Sequence, residues 1–233
     1  MAIVNSRLRE QYAHLHSRDE YGDGAERFCL HIQACISDLK PDSILDYGCG
    51  QSLLQKGLEL GASVFCRYDP AIPDVAELPI QTADLLINTD VLEHVPHEDL
   101  RDLLKHMSNV SENVFFNIAT RKASQILPNG QNAHCTVMNA GQWLTTIREF
   151  FPRAELVADH PGHSCLIITW NSPVLPVLAG IERLRIVERQ CDEYRQNPVR
   201  KLRRRVRRLL NWVTSTPVPR TVLFPDTRRI GEA

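Results

Sequence analysis

Three aspartates, Asp46, Asp69 and Asp90, stand at the ends of short apolar runs, and two histidines, His94 and His134, lie beyond the third. Carboxylates accept hydrogen bonds from hydroxyl and amine groups, and an imidazole can take up a proton near neutral pH. The first aspartate belongs to residues 43–52, SILDYGCGQS, where Ser43, Ile44 and Leu45 suit a buried strand. Gly48 and Gly50 permit a positive φ and let a ligand approach the backbone closely. Apolar side chains at helical spacing over 53–60 predict that this turn opens a helix whose first N–H groups face the ligand. Glycine turns of this kind also join strand to helix in α/β proteins that bind nothing there, so the turn alone does not decide function.

The spacing that follows adds specificity. Residues 62–67 read as a second strand, and Tyr68-Asp69-Pro70 ends it with a carboxylate placed to accept hydrogen bonds from a ribose diol. A third buried strand over 83–88 runs into Thr89-Asp90-Val91-Leu92-Glu93-His94-Val95-Pro96, whose polar residues fall just past a strand's carboxyl end. Open α/β sheets bind ligands at that edge.

The segments DYGCG, YDP and DVLEHVP resemble the class I S-adenosylmethionine-dependent methyltransferases over about residues 40–170. Rossmann dehydrogenases share an acid after the second strand but carry GxGxxG after the first, without the preceding aspartate. The resemblance implies S-adenosyl-L-methionine as cofactor, with Asp46, Gly48 and Gly50 lining its methionine end and Asp69 holding the ribose hydroxyls. It places Asp90 and Val91 beside the methyl donor and Asp74 near the adenine amino group. Two features depart from the family pattern. Ser52 stands where a third glycine is usual, so the helix sits farther from the turn or is capped by the serine. Only thirteen residues, among them Pro70, Pro73 and Pro79, separate Asp69 from Ala83. That is too short for a helix and a strand, so the usual third helix and edge strand are expected to be trimmed to a loop.

The remaining rhythm predicts a helix over 98–107, a strand over 113–118, a helix over 140–150 and strands over 154–158 and 164–170. Alternating strands and helices imply a mostly parallel sheet with helices on both faces. His160-Pro161-Gly162 joins the last two strands as an antiparallel hairpin, as in the family it resembles. Pro173 and Pro176 mark a break before a helix over 177–194. The expected organisation is a cofactor-binding domain over 1–172, with an N-terminal lid containing Tyr12, His14, His16 and Tyr21-Gly22, and a helical, basic extension over 173–233. Arg27, His31 and Cys35, spaced i, i+4 and i+8, read as a packed helix face.

Charge is segregated along the chain. Residues 200–233 hold ten Lys and Arg against two Asp and Glu, a balance of +8, which leaves 17 against 26, or −9, in residues 1–199. Leu202, Val206, Leu209 and Val213 recur at i, i+4, i+7 and i+11 among arginines, a pattern that suits a helix on an anionic membrane surface or one docked on an acidic protein face. Nucleic acid is the weaker partner, because no reader motif accompanies the basic run. Seven cysteines without a C-x-x-C pair read as reduced thiols, and no metal site is assigned. With no run of eighteen apolar residues and a polar N-terminus, a cytoplasmic protein, peripheral at the membrane if the tail binds lipid, is expected.

Methyl transfer from a sulfonium is an in-line displacement that depends mainly on positioning. A hydroxyl or amine acceptor still gains from a base, and His134, in the polar loop LPNGQNAHCT, is the first candidate, with His94 the second. Asn129, Gln131, Asn132 and Thr136 either meet a small polar or glycan-like acceptor or belong to a solvated loop. The Asn/Asp-Pro-Pro-Tyr pattern of base amino-group methylation is absent, with Asn88-Thr89-Asp90-Val91 in its place. A non-catalytic cofactor-binding scaffold and an RNA or protein methyltransferase that uses the basic tail stay open as alternatives. The oligomeric state is not legible.

Overall fold

The structure, a computed structural model, describes residues 24–196. The chain divides into two compact units, residues 1–183 and 184–233, and the described part of the second, 184–196, is helical. In the first unit a six-stranded sheet has the order β2-β1-β3-β4-β6-β5, with β1 at Ser43–Tyr47, β2 at Val64–Tyr68, β3 at Leu85–Thr89, β4 at Val114–Ala119, β5 at Glu155–His160 and β6 at Ser164–Ile168. β1 to β4 pair in parallel, and β6 runs antiparallel to both β4 and β5. The C-terminal hairpin turns over Gly162 at φ +73°.

Side-chain alternation divides the core into two layers. On one face, Leu45, Leu86, Val114, Phe116, Ile118, Cys165 and Ile167 meet helices α2 (His97–Val110) and α3 (Ala140–Arg148). α2 contributes Leu100, Leu103, Leu104, Met107 and Val110, one stripe at helical spacing, and carries Glu98 and Asp99 in its first turn, where the helix dipole favours acids. α3 opens with a capping box in which Asn139 and Gln142 bond each other's backbone N–H, and it buries Trp143 completely. On the other face, Ile44, Leu85, Ile87, Phe115, Leu166 and Ile168 meet Phe28, Ile32, Cys35 and Ile36 of α1 (Cys29–Leu39) and its approach, together with Leu178 of α4 (Leu175–Gln196). Glu182 of α4 is buried 3.0 Å from both His31 and His160, tying the start of that helix to α1 and the hairpin. His31 and Cys35 are the packed face their spacing predicts, whereas Arg27, in the 3-10 turn before α1, points to Asp90 instead.

Between Asp69 and Ala83 there is one 3-10 turn, Pro73–Val75, so the expected third helix and edge strand are indeed missing and β2 forms the sheet edge. The helix predicted over 53–60 is not there. The segment forms a 3-10 turn, Leu54–Gly57, that buries Leu54 against α1 and brings Gly57 close to Cys29 Sγ. Leu54, Leu58 and Leu60 join the core around α1 while Leu53 stays exposed, and Gly57 and Gly61 shorten the turn further. The lid residues and the basic run 200–213 lie outside the described residues. Among the described residues, no helix is long and apolar enough to cross a membrane. All seven cysteines are free.

Among the described residues, Trp143 is the largest completely buried side chain. Trp143→Ala is expected to destabilise the chain by about 3–5 kcal/mol, the usual cost of emptying such a site. A lower urea midpoint at unchanged m-value checks it, and a shift below about 1 kcal/mol would mean the α3 face is not a cooperative part of the core.

Candidate functional site

The carboxyl ends of β1, β2 and β3 form one contiguous edge, and Asp46, Asp69 and Asp90 stand on it. β1 delivers Asp46 on the α1 face, paired in register with Arg67 and Ile87. Immediately after it the chain reverses through Gly48 (φ +78°) and Gly50 (φ +52°). The N–H groups of Gly48 and Cys49 both donate to the Tyr68 carbonyl, at 2.7 and 3.1 Å, and Gly50 N–H donates to Asp69 Oδ2 at 3.0 Å. Arg67 Nη2 donates to the Gly50 carbonyl at 2.8 Å. A Cβ at Gly48 would collide with Val91 Cγ2, so glycine is required there both for its φ and for the approach of Val91.

Asp69 Oδ1 accepts the N–H of Ala71 at 2.9 Å, and its own N–H donates to the Val75 carbonyl, which docks the 3-10 turn that carries an exposed Asp74. Each Asp69 oxygen takes one N–H and keeps acceptor capacity for hydroxyl donors. Asp90 adopts a left-handed φ of +56°, uncommon for a residue with a Cβ and worth about 1–3 kcal/mol of strain. Asn117 holds it there: the Asp90 N–H donates to the Asn117 carbonyl at 2.9 Å, and Asn117 Nδ2 donates to Asp90 Oδ1 at 2.7 Å. Arg27 pairs with the other oxygen, Oδ2.

The helix-like N–H groups expected to face a ligand are used by the protein itself. Glu26 accepts the Leu53 N–H, and Ser52 Oγ accepts the Leu54 N–H at 3.0 Å, although Leu53 rather than the serine stands at the cap position of the short turn. What the glycine turn leaves unmet is acid rather than amide: among the described residues, both Asp46 oxygens are buried without a hydrogen-bond partner. Burial pushes the Asp46 carboxyl up to about 7, while Arg67 pulls the other way and Asp69 and Glu26 add repulsion.

Sequence reasoning missed Glu93, which is completely buried. Its Oε1 accepts the N–H of Ala119, the last residue of β4, at 2.8 Å, and its carboxyl is held well above the ordinary range by burial and then by the Asp90 charge. Its neighbour His94 and the loop residue His134 come together as an edge-to-face pair with ring centroids 4.8 Å apart. The Nδ1 of each ring meets a backbone carbonyl, Ala133 at 2.9 Å for His94 and Arg121 at 2.5 Å for His134. The Glu-His adjacency in DVLEHVP was the signal for Glu93; its partner across the sheet was not.

The polar loop residues are scaffolding. Asn132 exchanges two hydrogen bonds with the backbone of Ala123, both at 2.9 Å, and accepts the His134 N–H at 3.0 Å. Thr136 is buried and donates to the Val95 carbonyl at 2.6 Å. Asn129 and Gln131 bond each other at the exposed tip. These contacts hold His134 in place.

No family model matches the chain, and none of the curated proteins does. Among solved structures, the chain is similar to 1,6-didemethyltoxoflavin-N1-methyltransferase of Burkholderia thailandensis, crystallised with 1,6-didemethyltoxoflavin and S-adenosylhomocysteine. That match has a TM-score of 0.51 and 14% identity over 70% of this chain and 88% of that one. It is also similar to an O-methyltransferase family protein from Burkholderia thailandensis (TM-score 0.49, 12% identity), covering 70% of this chain but only 64% of that one. A third is the N-methyltransferase NodS of Bradyrhizobium japonicum with S-adenosylhomocysteine (TM-score 0.46, 14% identity, 71% and 99% coverage). The chain has the class I, Rossmann-like methyltransferase fold, with one edge strand missing.

Because the folded chain raises Asp46 from 3.8 to about 7, the folded state holds a proton between those values that the unfolded state has lost. Stability of the cofactor-free chain is therefore expected to fall as pH rises from about 4 to 7 and to level off above, by roughly 4 kcal/mol for a three-unit shift. Asp46→Asn should remove this residue's share of the slope, measured as urea midpoints at pH 4 to 8. A variant that keeps the full slope would show that Asp46 is not the titrating group.

Proposed function

We propose that the chain is an S-adenosylmethionine-dependent methyltransferase that acts on a hydroxyl or amine of a small polar or glycan-like acceptor. The observation that carries this reading is the single sheet edge on which three aspartates surround a glycine turn covered by Val91. Asp46 and the Gly48–Gly50 turn would receive the methionine end, the unpartnered Asp46 carboxylate matching its ammonium group. Asp69 would take the ribose hydroxyls, and Asp74 the adenine amino group. Asp90 and Val91 would flank the sulfonium, with His94 and His134 on the acceptor side. One of the similar solved structures, the 1,6-didemethyltoxoflavin-N1-methyltransferase, holds S-adenosylhomocysteine, which supports the cofactor assignment.

The chemistry needs little beyond placement. The acceptor lone pair forms a bond to the methyl carbon as the sulfur–carbon electron pair returns to sulfur, and the acceptor proton leaves. With its Nδ1 against a carbonyl oxygen, each neutral imidazole carries its hydrogen there and presents an unprotonated Nε2. Such a nitrogen can take the acceptor proton or hold a Lewis acid that makes the proton easier to lose. The basic, amphipathic sequence 200–213 supports an acceptor carried at an anionic membrane surface.

Calorimetry should find that Asp69→Ala weakens S-adenosylmethionine binding roughly 10- to 100-fold, the worth of hydrogen bonds to a charged group. Unchanged affinity would refute the ribose assignment. His134→Ala should lower turnover by roughly 100-fold or more while leaving cofactor affinity within about a factor of two, and equal activity would remove His134 from the reaction. Deleting residues 200–233 should abolish co-sedimentation with vesicles rich in phosphatidylserine but not cofactor binding; retained sedimentation would exclude the tail as anchor.

A further inference from the structure

We infer that Glu93, His94 and His134 form a site for a first-row divalent transition-metal cation at the acceptor side of the proposed methyl-transfer pocket. One ligand atom from each residue lies within 4.8 Å of the others. Two ligands with bonds of about 2.0–2.2 Å to one ion stand no more than about 4.4 Å apart, so a side-chain adjustment of about half an ångström closes the set.

Three independent features point to a cation rather than to packing. The first is the carboxylate. Glu93 is completely buried, its Oε1 is engaged by the Ala119 N–H, and its Oε2 is buried with no hydrogen-bond partner. A buried carboxylate oxygen left unmet is costly, and a cation offsets that cost.

The second is the orientation of the rings. Nδ1 of His94 faces the Ala133 carbonyl and Nδ1 of His134 faces the Arg121 carbonyl, so each neutral ring carries its hydrogen on Nδ1 and offers the Nε2 lone pair. A backbone carbonyl on one imidazole nitrogen is how proteins fix the tautomer and aim of a metal-binding histidine.

The third is rigidity. Asn132 bonds the His134 N–H, and Thr136 joins its loop to the Glu93–Val95 segment through the Glu93 and Val95 carbonyls, so the two halves of the set are held together before any ion arrives.

Two imidazoles and one carboxylate favour zinc, iron or manganese over magnesium or calcium, and three protein ligands leave coordination positions open. An acceptor hydroxyl bound at an open position would have its pKa lowered and lose its proton to solvent. The oxygen would then form the bond to the methyl carbon while the S–CH3 electron pair returns to sulfur. In that state His94 and His134 act as ligands, and the acidified acceptor needs no separate base. This use in catalysis rests on the methyltransferase reading; the site itself does not.

The full chain, stripped with a chelator and kept reduced, is titrated with Zn2+ and separately with S-adenosylhomocysteine, both by calorimetry. One Zn2+ should bind per chain. His94→Ala and His134→Ala should each weaken it at least tenfold, a loss seen even for outer-shell partners of metal ligands. Glu93→Gln, which keeps the side chain's shape and removes its charge, should do the same. Cys135→Ser, which removes an exposed thiol beside His134, should leave Zn2+ affinity unchanged. Absence of Zn2+ binding, binding that survives His134→Ala, or binding that only Cys135→Ser removes overturns the site. If the site fails while S-adenosylhomocysteine still binds, the methyltransferase reading stands; Zn2+ binding without S-adenosylhomocysteine binding keeps the site and removes its catalytic use.

Discussion

The Tyr68 carbonyl is the point on which the candidate site turns. Two N–H groups of the glycine turn, from Gly48 and Cys49, converge on that one oxygen, and the next donor, Gly50 N–H, lands on the Asp69 carboxylate one residue later. The end of β2 therefore fixes the path of the chain leaving β1. Asp46 is left buried beneath the turn, and the surface above Gly48 is open only as far as Val91 allows. Any side chain at Gly48 would push Val91 away and displace the segment that carries Asp90, Glu93 and His94. Four pieces of the site thus share one steric and hydrogen-bonding constraint.

Acid is concentrated around this turn at a cost in stability. Asp46 and Glu93 are both buried, and burial raises both carboxyls. Asp90 is held in a left-handed backbone conformation by Asn117 and faces Arg27. Strain and unmet charge of this kind lower the stability of a chain without its ligand, and they are offset when a cationic or hydroxyl-rich ligand supplies the missing partners. The two layers of apolar core, with helices on both sheet faces, supply the stability that lets the edge carry this load.

On the acceptor side the contribution of the loop after β4 is mechanical. Asn132 and Thr136, polar residues that could have met a ligand directly, are used to clamp the loop, and the outcome is a fixed pair of imidazoles above a buried glutamate. Tilting both rings by backbone carbonyls decides which nitrogen each presents, and that choice sets what the pair can do, whether accept a proton or hold a cation.

Short apolar runs and glycine turns placed the strands from the amino-acid sequence to within two residues at either end, because buried strands and positive-φ turns leave a strong local signature. The thirteen residues after Asp69 were enough to show that an edge strand had no room. The segment 53–60 was misjudged, since apolar spacing that suits a helix equally suits a 3-10 turn from which Leu54, Leu58 and Leu60 join the core around α1 while Leu53 stays exposed. Local spacing cannot distinguish the two. Likewise the sequence left Asn132 and Thr136 open between acceptor contacts and a solvated loop, whereas they staple the loop, and it gave Glu93 no role. Sequence by itself determined which strand ends carry the acids, since chain order and alternation dictate that. Only the tertiary structure decided which of those groups meet: Glu93 with Ala119, Asp90 with Asn117 and Arg27, and His94 with His134. Those pairs lie 26 to 63 residues apart along the chain, a separation over which sequence alone carries no local physical coupling.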